Sequence, residues 1–151
     1  MAGRLMEMWE TGNTAALGEI TTEDVVYDEM PNGQRFEGRD GVRQYIGHVH
    51  AWASDVEIKA TSLRGDANVA VAEWAMRGIQ DRPIPGRVPI ATRRSFRLNG
   101  ATLVELQEGR IARAADYLDV LGSVVQLGAR VELPGGMVIQ SGKDSSHQVG
   151  T

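Results

Sequence analysis

Four residues of this sequence can move or hold a proton and are placed where one cavity could gather them: Asp116, Tyr27, Glu29 and His48. Asp116 follows Ala112, Ala114 and precedes Leu118 on one face of a strand-like run, because side chains alternate faces along a strand. A carboxylate on an apolar face has its pKa raised by desolvation, which suits a general acid or base. Tyr27 and Glu29 share a face of an earlier β-rich run, pairing a phenolic donor with a second carboxylate. Two carboxylates in one cavity repel, so one stays protonated and the pair supplies both an acid and a base. His48 lies four residues before Trp52 on a helical pattern, as a proton carrier or orienting donor. Plainer readings stand beside these. Asp116 could cap a helix or pair with Arg113 or Arg94, Tyr27 could be a core aromatic, Glu29 a solvated rim residue and His48 an interfacial side chain.

A substrate wall is read from Trp52, Trp74, Met76 and Phe96, whose bulk and apolar character suit a cavity. Arg82, Arg87, Arg93, Arg94 and Arg97 surround a proline-rich stretch. They could greet an anionic substrate, with Arg94 taken as a substrate-binding candidate, yet alternation sends Arg93 and Arg97 to one face and Arg94 to the other, and most of the five should be solvated. No metal site is read: the sequence has no cysteine and three histidines, and His48 and His50, two apart on a helix, do not face each other. Disulfides and thiol chemistry are excluded for the same reason. A net charge of −4, with acids and bases mixed, gives no broad basic surface for nucleic acid. No apolar run approaches the ~20 residues of a membrane span, and the N-terminal residues carry no signal-like apolar region. A cytoplasmic protein acting on a small molecule is expected.

The 151 residues, 42% of them hydrophobic, suit one core, here assigned to a single domain over 1–130. Leu5, Met8 and Trp9 predict a first helix stopped by Gly12-Asn13, and Thr14 to Ile20 a second helical turn. Glu23 to Met30 reads as a strand closed by Pro31 and Asn32-Gly33. A longer helix starts near Gly38-Arg39-Asp40-Gly41, with Asp40 as cap and Val42, Tyr45, Ile46, Val49 and Ala53 as its buried stripe. Period-two alternation from Val56 and again from Val69 to Gly78 predicts a hairpin across Gly65-Asp66-Ala67-Asn68. Residues 79–91 form a long loop on the strength of Pro83, Pro85, Gly86 and Pro89. Thr92 to Leu98 and Ala101 to Gln107 are strands separated by a bulge or turn at Asn99-Gly100, and the strand with Asp116 follows the Glu108-Gly109 turn. Asp119 caps a last helix. Residues 131–151 form a C-terminal tail, partly disordered or forming an interface.

Tyr27-Asp28-Glu29-Met30-Pro31, Gly38-Arg39-Asp40-Gly41-Val42, Glu73-Trp74, Glu108-Gly109-Arg110-Ile111 and Asp116-Tyr117-Leu118-Asp119 together resemble the NTF2-like superfamily. Within it they are most similar to the SnoaL-like polyketide cyclases and the limonene epoxide hydrolases. The resemblance implies an α+β cone, with a curved mixed or antiparallel sheet wrapped around N-terminal helices and a central apolar pocket, commonly in a homodimer. It also implies a cofactor-independent enzyme. The epoxide hydrolase pattern places Tyr27 and the residue two further on against the attacking water, but that second residue, an asparagine in the pattern, is Glu29 here. Its arginine and aspartate of the central strand are replaced by Trp74 and Met76, and only Asp116 remains. What is left resembles the cyclase and isomerase side, acting by acid/base proton transfer on a polyketide-like, aromatic or terpenoid substrate, with retro-aldol cleavage as the reverse direction. A non-catalytic ligand-binding domain and an epoxide hydrolase with a rebuilt water site are the alternatives.

Overall fold

A computed structural model describes residues 1–142. The elements run α1 (Ala2–Thr11), α2 (Leu17–Ile20), β1 (Thr21–Glu29), β2 (Gln34–Glu37), α3 (Gly38–Trp52), β3 (Ala53–Gly65), β4 (Val69–Gln80), β5 (Arg94–Gln107), β6 (Arg110–Leu118), α4 (Val120–Gln126), β7 (Arg130–Glu132) and β8 (Val138–Gln140). Strands β1 to β6 make one curved sheet in the order β2-β1-β6-β5-β4-β3, parallel between β1 and β6 and antiparallel elsewhere. The expected α+β architecture is therefore present.

The helices cover one face of this sheet. In α1, Leu5, Met6, Met8 and Trp9 are buried, and Gly12 ends the helix in the left-handed conformation at φ 70°. The His50 ring nitrogen Nε2 meets the Trp9 carbonyl at 2.9 Å and ties α3 to α1. Tyr45, Ile46 and Val49 form the buried stripe of α3. Asp40 does not cap this helix. Glu37 occupies the cap position without a side-chain bond, and Asp40, inside the first turn, accepts from Arg43 at 2.6 Å. Ala53 is buried as the first residue of β3, because the chain leaves the helix at Trp52. Arg82 satisfies the carbonyls at that exit, donating to those of His50, Ala51 and Ala53.

Three further departures from the expected elements have local causes. A short strand, β2, pairs with β1 across the turn at Gly33, which holds φ 62°. The long loop begins two residues later than expected, since Ile79 and Gln80 still pair with Ser95 and Arg94. Asn99-Gly100 is neither bulge nor turn: β5 keeps unbroken register with β4 through both residues. In the C-terminal tail, β7 and β8 form a local hairpin, and residues 143–151 lie outside the described residues. Among the described residues no helix is long and apolar enough to cross a membrane.

Candidate active site

Cross-strand register assembles the site. Glu29 on β1 is adjacent to Asp116 on β6, and Asp116 faces Thr102 on β5, so three polar side chains share one inward row. The next row holds Leu118, Gly100 and Trp74. With no side chain at position 100, the Trp74 indole lies over the β5 backbone, where a Cβ would come within 2.5 Å of its ring. From there Trp74 Nε1 donates to Thr102 Oγ1 at 2.9 Å.

Asp116 is 3% exposed and accepts three hydroxyl hydrogen bonds. Thr102 donates to Oδ1 at 2.5 Å, Tyr27 donates to the same oxygen at 2.9 Å, and Tyr45 donates to Oδ2 at 3.1 Å. Trp9 Nε1 in turn donates to the Tyr27 hydroxyl at 3.0 Å. An indole N–H can only donate, so Tyr27 and Thr102 each receive one hydrogen and direct their own to Asp116. Oδ1 thereby holds two donors and Oδ2 one, which leaves Oδ2 with the free lone pair. Burial pushes the Asp116 carboxyl up to about 6; the hydrogen bonds from Thr102, Tyr27 and Tyr45 pull the other way, and the Glu29 charge adds to the rise. Burial, and then the Asp116 charge, raise both tyrosines above their ordinary value, so they stay protonated as donors.

Neither arginine proposed as a partner reaches Asp116. Arg113 pairs with Asp28 at 2.9 Å and Glu105 at 2.8 Å, and Arg94 is exposed and lies over Gly128 beyond α4. Asp28 alternates to the face opposite Tyr27 and Glu29, and Arg35, by hydrogen bonding, holds its carboxyl below the usual range.

A cavity of about 90 Å³ lies over this row, several times the ~10–15 Å³ that one water needs by the same measure. Asp116, Glu29, His48, Trp52, Trp74, Met76 and Phe96 all line it. Tyr27 and Arg94 are not among the lining residues. The Tyr27 hydroxyl is occupied by Trp9 and Asp116, so it supports the carboxylate instead of meeting a substrate, and Arg94, although on the same face as Phe96, is the exposed first residue of β5 and lies over Gly128 outside the cavity. Arg87, from the long loop, lines the cavity where Arg94 was expected to act. Glu29 is not a solvated rim residue: it is 5% exposed, accepting from Asn32 Nδ2 and, at 3.3 Å, from Arg87 Nη2. His48 lines the cavity but is solvent-exposed, and partial burial first, then the Arg87 charge, lower its pKa, against the pull of Glu29. Among the described residues no three or more His, Asp or Glu side chains converge as metal ligands would.

Sequence reasoning did not assign Tyr45, Thr102 or Trp9 to the site. Tyr45 was legible as a buried helical position, and a tyrosine on such a stripe needs an acceptor for its hydroxyl. Nothing local marks Thr102, whose role follows from its register with Asp116. From α4, Val120, Val124 and Leu127 complete the wall. That helix is held against the first residues of β5, which extend past the end of β6, by Gln126, whose amide accepts from Arg97 N and donates to Arg97 O, both at 2.7 Å. Asp119 caps it, accepting from Gly122 N at 2.8 Å.

An α+β domain in which a curved, unclosed sheet and its helices enclose an apolar cavity around a buried carboxylate is of the NTF2 and ketosteroid isomerase-like class. Within that class the chain belongs to the SnoaL-like domain family, whose model matches residues 2–114 and so ends just before Asp116. Among solved structures it is similar to TsrD from Streptomyces laurentii, 25% identical over 85% of this chain and 92% of that one, with a TM-score of 0.74. It shares its fold with IdmH, a candidate polyketide cyclase from Streptomyces antibioticus (18% identity, 85% and 96% covered, TM-score 0.70). The same holds for a protein with a ketosteroid isomerase-like fold from Catenulispora acidiphila in complex with trimethylamine (20% identity, 83% and 89% covered, TM-score 0.67). No curated protein matches the sequence.

Proposed function

We propose that this protein is a cofactor-independent enzyme that uses Asp116 for proton transfer on a small hydrophobic oxygenated substrate, polyketide-like, aromatic or terpenoid, in a cyclase, isomerase or retro-aldol lyase reaction. One observation carries the reading: a carboxylate with no cation partner among the described residues, buried in an apolar cavity and pushed up to about 6, keeps one lone pair of Oδ2 free. A group so poised exchanges protons near neutral pH with little driving-force penalty. The SnoaL-like family and neighbours described as candidate polyketide cyclases support the same direction.

In the forward sense, Asp116 Oδ2 takes a proton from the carbon beside a carbonyl and an enolate forms. Attack of that carbon on a second carbonyl closes a ring, and the new alkoxide recovers the proton from the acid. Return of the proton to another carbon instead gives isomerisation. In the retro-aldol direction Asp116 removes the hydroxyl proton, the carbon-carbon bond breaks, and the enolate carbon is reprotonated. Trp74 and Met76 stand in the wall where an epoxide hydrolase needs its arginine and second acid, which argues against water attack by that route. A homodimer is proposed on the family resemblance, with light scattering as its check.

The test is proton exchange in deuterated water, followed by NMR, with a panel of enolisable aryl ketones and β-diketones. Wild type should exchange the α-protons, and Asp116→Asn should slow this by about 10²–10⁴-fold while ligand affinity survives. Unchanged exchange in the variant would remove Asp116 from the mechanism. Bound but unexchanged ketones across the panel would make this a binding domain.

A further inference from the structure

The cavity has a second polar pole besides Asp116, and it is built from the long loop. Among the described residues, Arg87 is the one arginine or lysine lining the cavity, with its side chain 32% exposed. Among the described residues only one of its five guanidinium N–H donors is engaged, by Glu29 Oε1 at 3.3 Å, long against the ~2.7–2.9 Å of a well-formed charged pair. Glu29 does not depend on that contact, because Asn32 Nδ2 donates to the same oxygen.

The loop sets the place of Arg87 independently of Glu29. Gln80, fully buried, spends its whole amide on the base of the loop: Nε2 donates to the carbonyls of Arg82 and Ile90 at 2.6 and 2.8 Å, and Oε1 accepts from the amide and hydroxyl of Thr92 at 2.7 and 2.5 Å. Arg82 fastens the same base to the end of α3. At the tip, Ile84 and Val88 exchange backbone hydrogen bonds of 2.8 and 3.0 Å around Gly86, and Ile84 is buried in the cavity wall. A clasped base and a tight tip deliver the guanidinium to the wall with most of its fork unused.

On the footing of the acid/base reading above, we propose that Arg87 receives a carboxylate carried by the substrate, so that the substrate class is a compact, otherwise apolar oxo-acid. A partly desolvated guanidinium presents paired donors that match a carboxylate, and the apolar wall around it weakens competition from water. Glu29 keeps its Asn32 donor when Arg87 turns to the ligand.

Titration calorimetry with three probes of matched shape tests this without requiring turnover: 4-ethylbenzoate, 4-ethylacetophenone and 4-ethylphenyl-trimethylammonium. Wild type should bind the acid at least about tenfold more tightly than the ketone, as expected of one charge-assisted pair in a partly buried site. Arg87→Gln should erase that preference while ketone affinity, which also reports the fold, changes by less than about twofold; Arg87→Lys, keeping charge without the fork, should recover part of it. Asp116→Asn should keep the preference, which separates this result from a failure of the proton-transfer reading. Absence of acid binding, equal loss of acid and ketone in Arg87→Gln, or a preference for the cation in wild type would each overturn the proposal.

Discussion

Thr102 and Asp116 face each other across the β5–β6 ladder, and the 2.5 Å hydrogen bond between their side chains runs in one direction. The threonine hydroxyl already accepts the Trp74 indole hydrogen, so its own hydrogen goes to the carboxylate. Tyr27, held by Trp9, is committed in the same way. These wired donors favour the ionised carboxylate, burial favours the neutral acid, and burial wins by a margin that leaves the group titrating near 6.

The pH dependence follows from that raised value. The folded chain holds the Asp116 proton up to about 6, the unfolded chain only to the ordinary 3.8, so between these pH values the folded state binds more protons. Stability therefore falls as pH rises through this window, by about 3 kcal/mol at most, and levels off above it. Asp28, whose pKa is lowered, acts oppositely and below 3.8. Denaturant titrations of wild type and Asp116→Asn across pH 3–8 isolate the Asp116 contribution as the difference between the curves; a difference that does not change with pH would refute it. Proton exchange by the ionised base should rise through about pH 6 and then plateau.

Thr102→Val and Tyr45→Phe each remove one donor from Asp116. The lost bond had lowered the pKa, so the midpoint of the exchange profile should move to higher pH, by about one unit for a hydrogen bond to a charge worth ~1.5 kcal/mol. Thr102→Val also strands the Trp74 indole hydrogen, so it should cost more stability than Tyr45→Phe. NMR titration of a labelled Asp116 carboxyl reads the shift directly, and a midpoint that stays or falls contradicts the wiring.

Gln80→Leu keeps the bulk and deletes the clasp of the long loop. The carbonyls of Arg82 and Ile90 then lose their donor, which should destabilise the chain by about 0.5–1.5 kcal/mol for each of these bonds. Amide hydrogen exchange should accelerate across residues 82–92 before it does so in β4 or β5. Uniform acceleration would mean that the clasp supports the whole sheet.

Gly100→Ala would set a Cβ 2.5 Å from the Trp74 ring and 2.9 Å from the Tyr117 carbonyl. The ring must leave Thr102, at a cost of about 1–3 kcal/mol from overpacking alone. A lowered melting temperature with altered tryptophan emission is expected. An unperturbed variant would show that the indole does not need the open backbone.

The sequence by itself determined the order of the main helices and strands and which residues share a strand face, because alternation and helical periodicity are properties of neighbouring residues. Asp116 could be recognised as anomalous on those grounds, and so could the apolar wall of Trp52, Trp74, Met76 and Phe96. The tertiary structure decided everything that depends on register between strands. It set Thr102 opposite Asp116, turned the Tyr27 hydroxyl from the substrate to the carboxylate, and let Gly100 admit an indole where local rules suggested a turn. It also exchanged Arg94 for Arg87: alternation sets Arg94 on the face of Phe96, but at the start of β5 it lies over Gly128 outside the cavity, while the clasped loop carries Arg87 into the wall. Hydrogen-bond partners far apart in the chain meet only when the sheet curves and the helices close over it, and the chemistry of this site lies in those meetings.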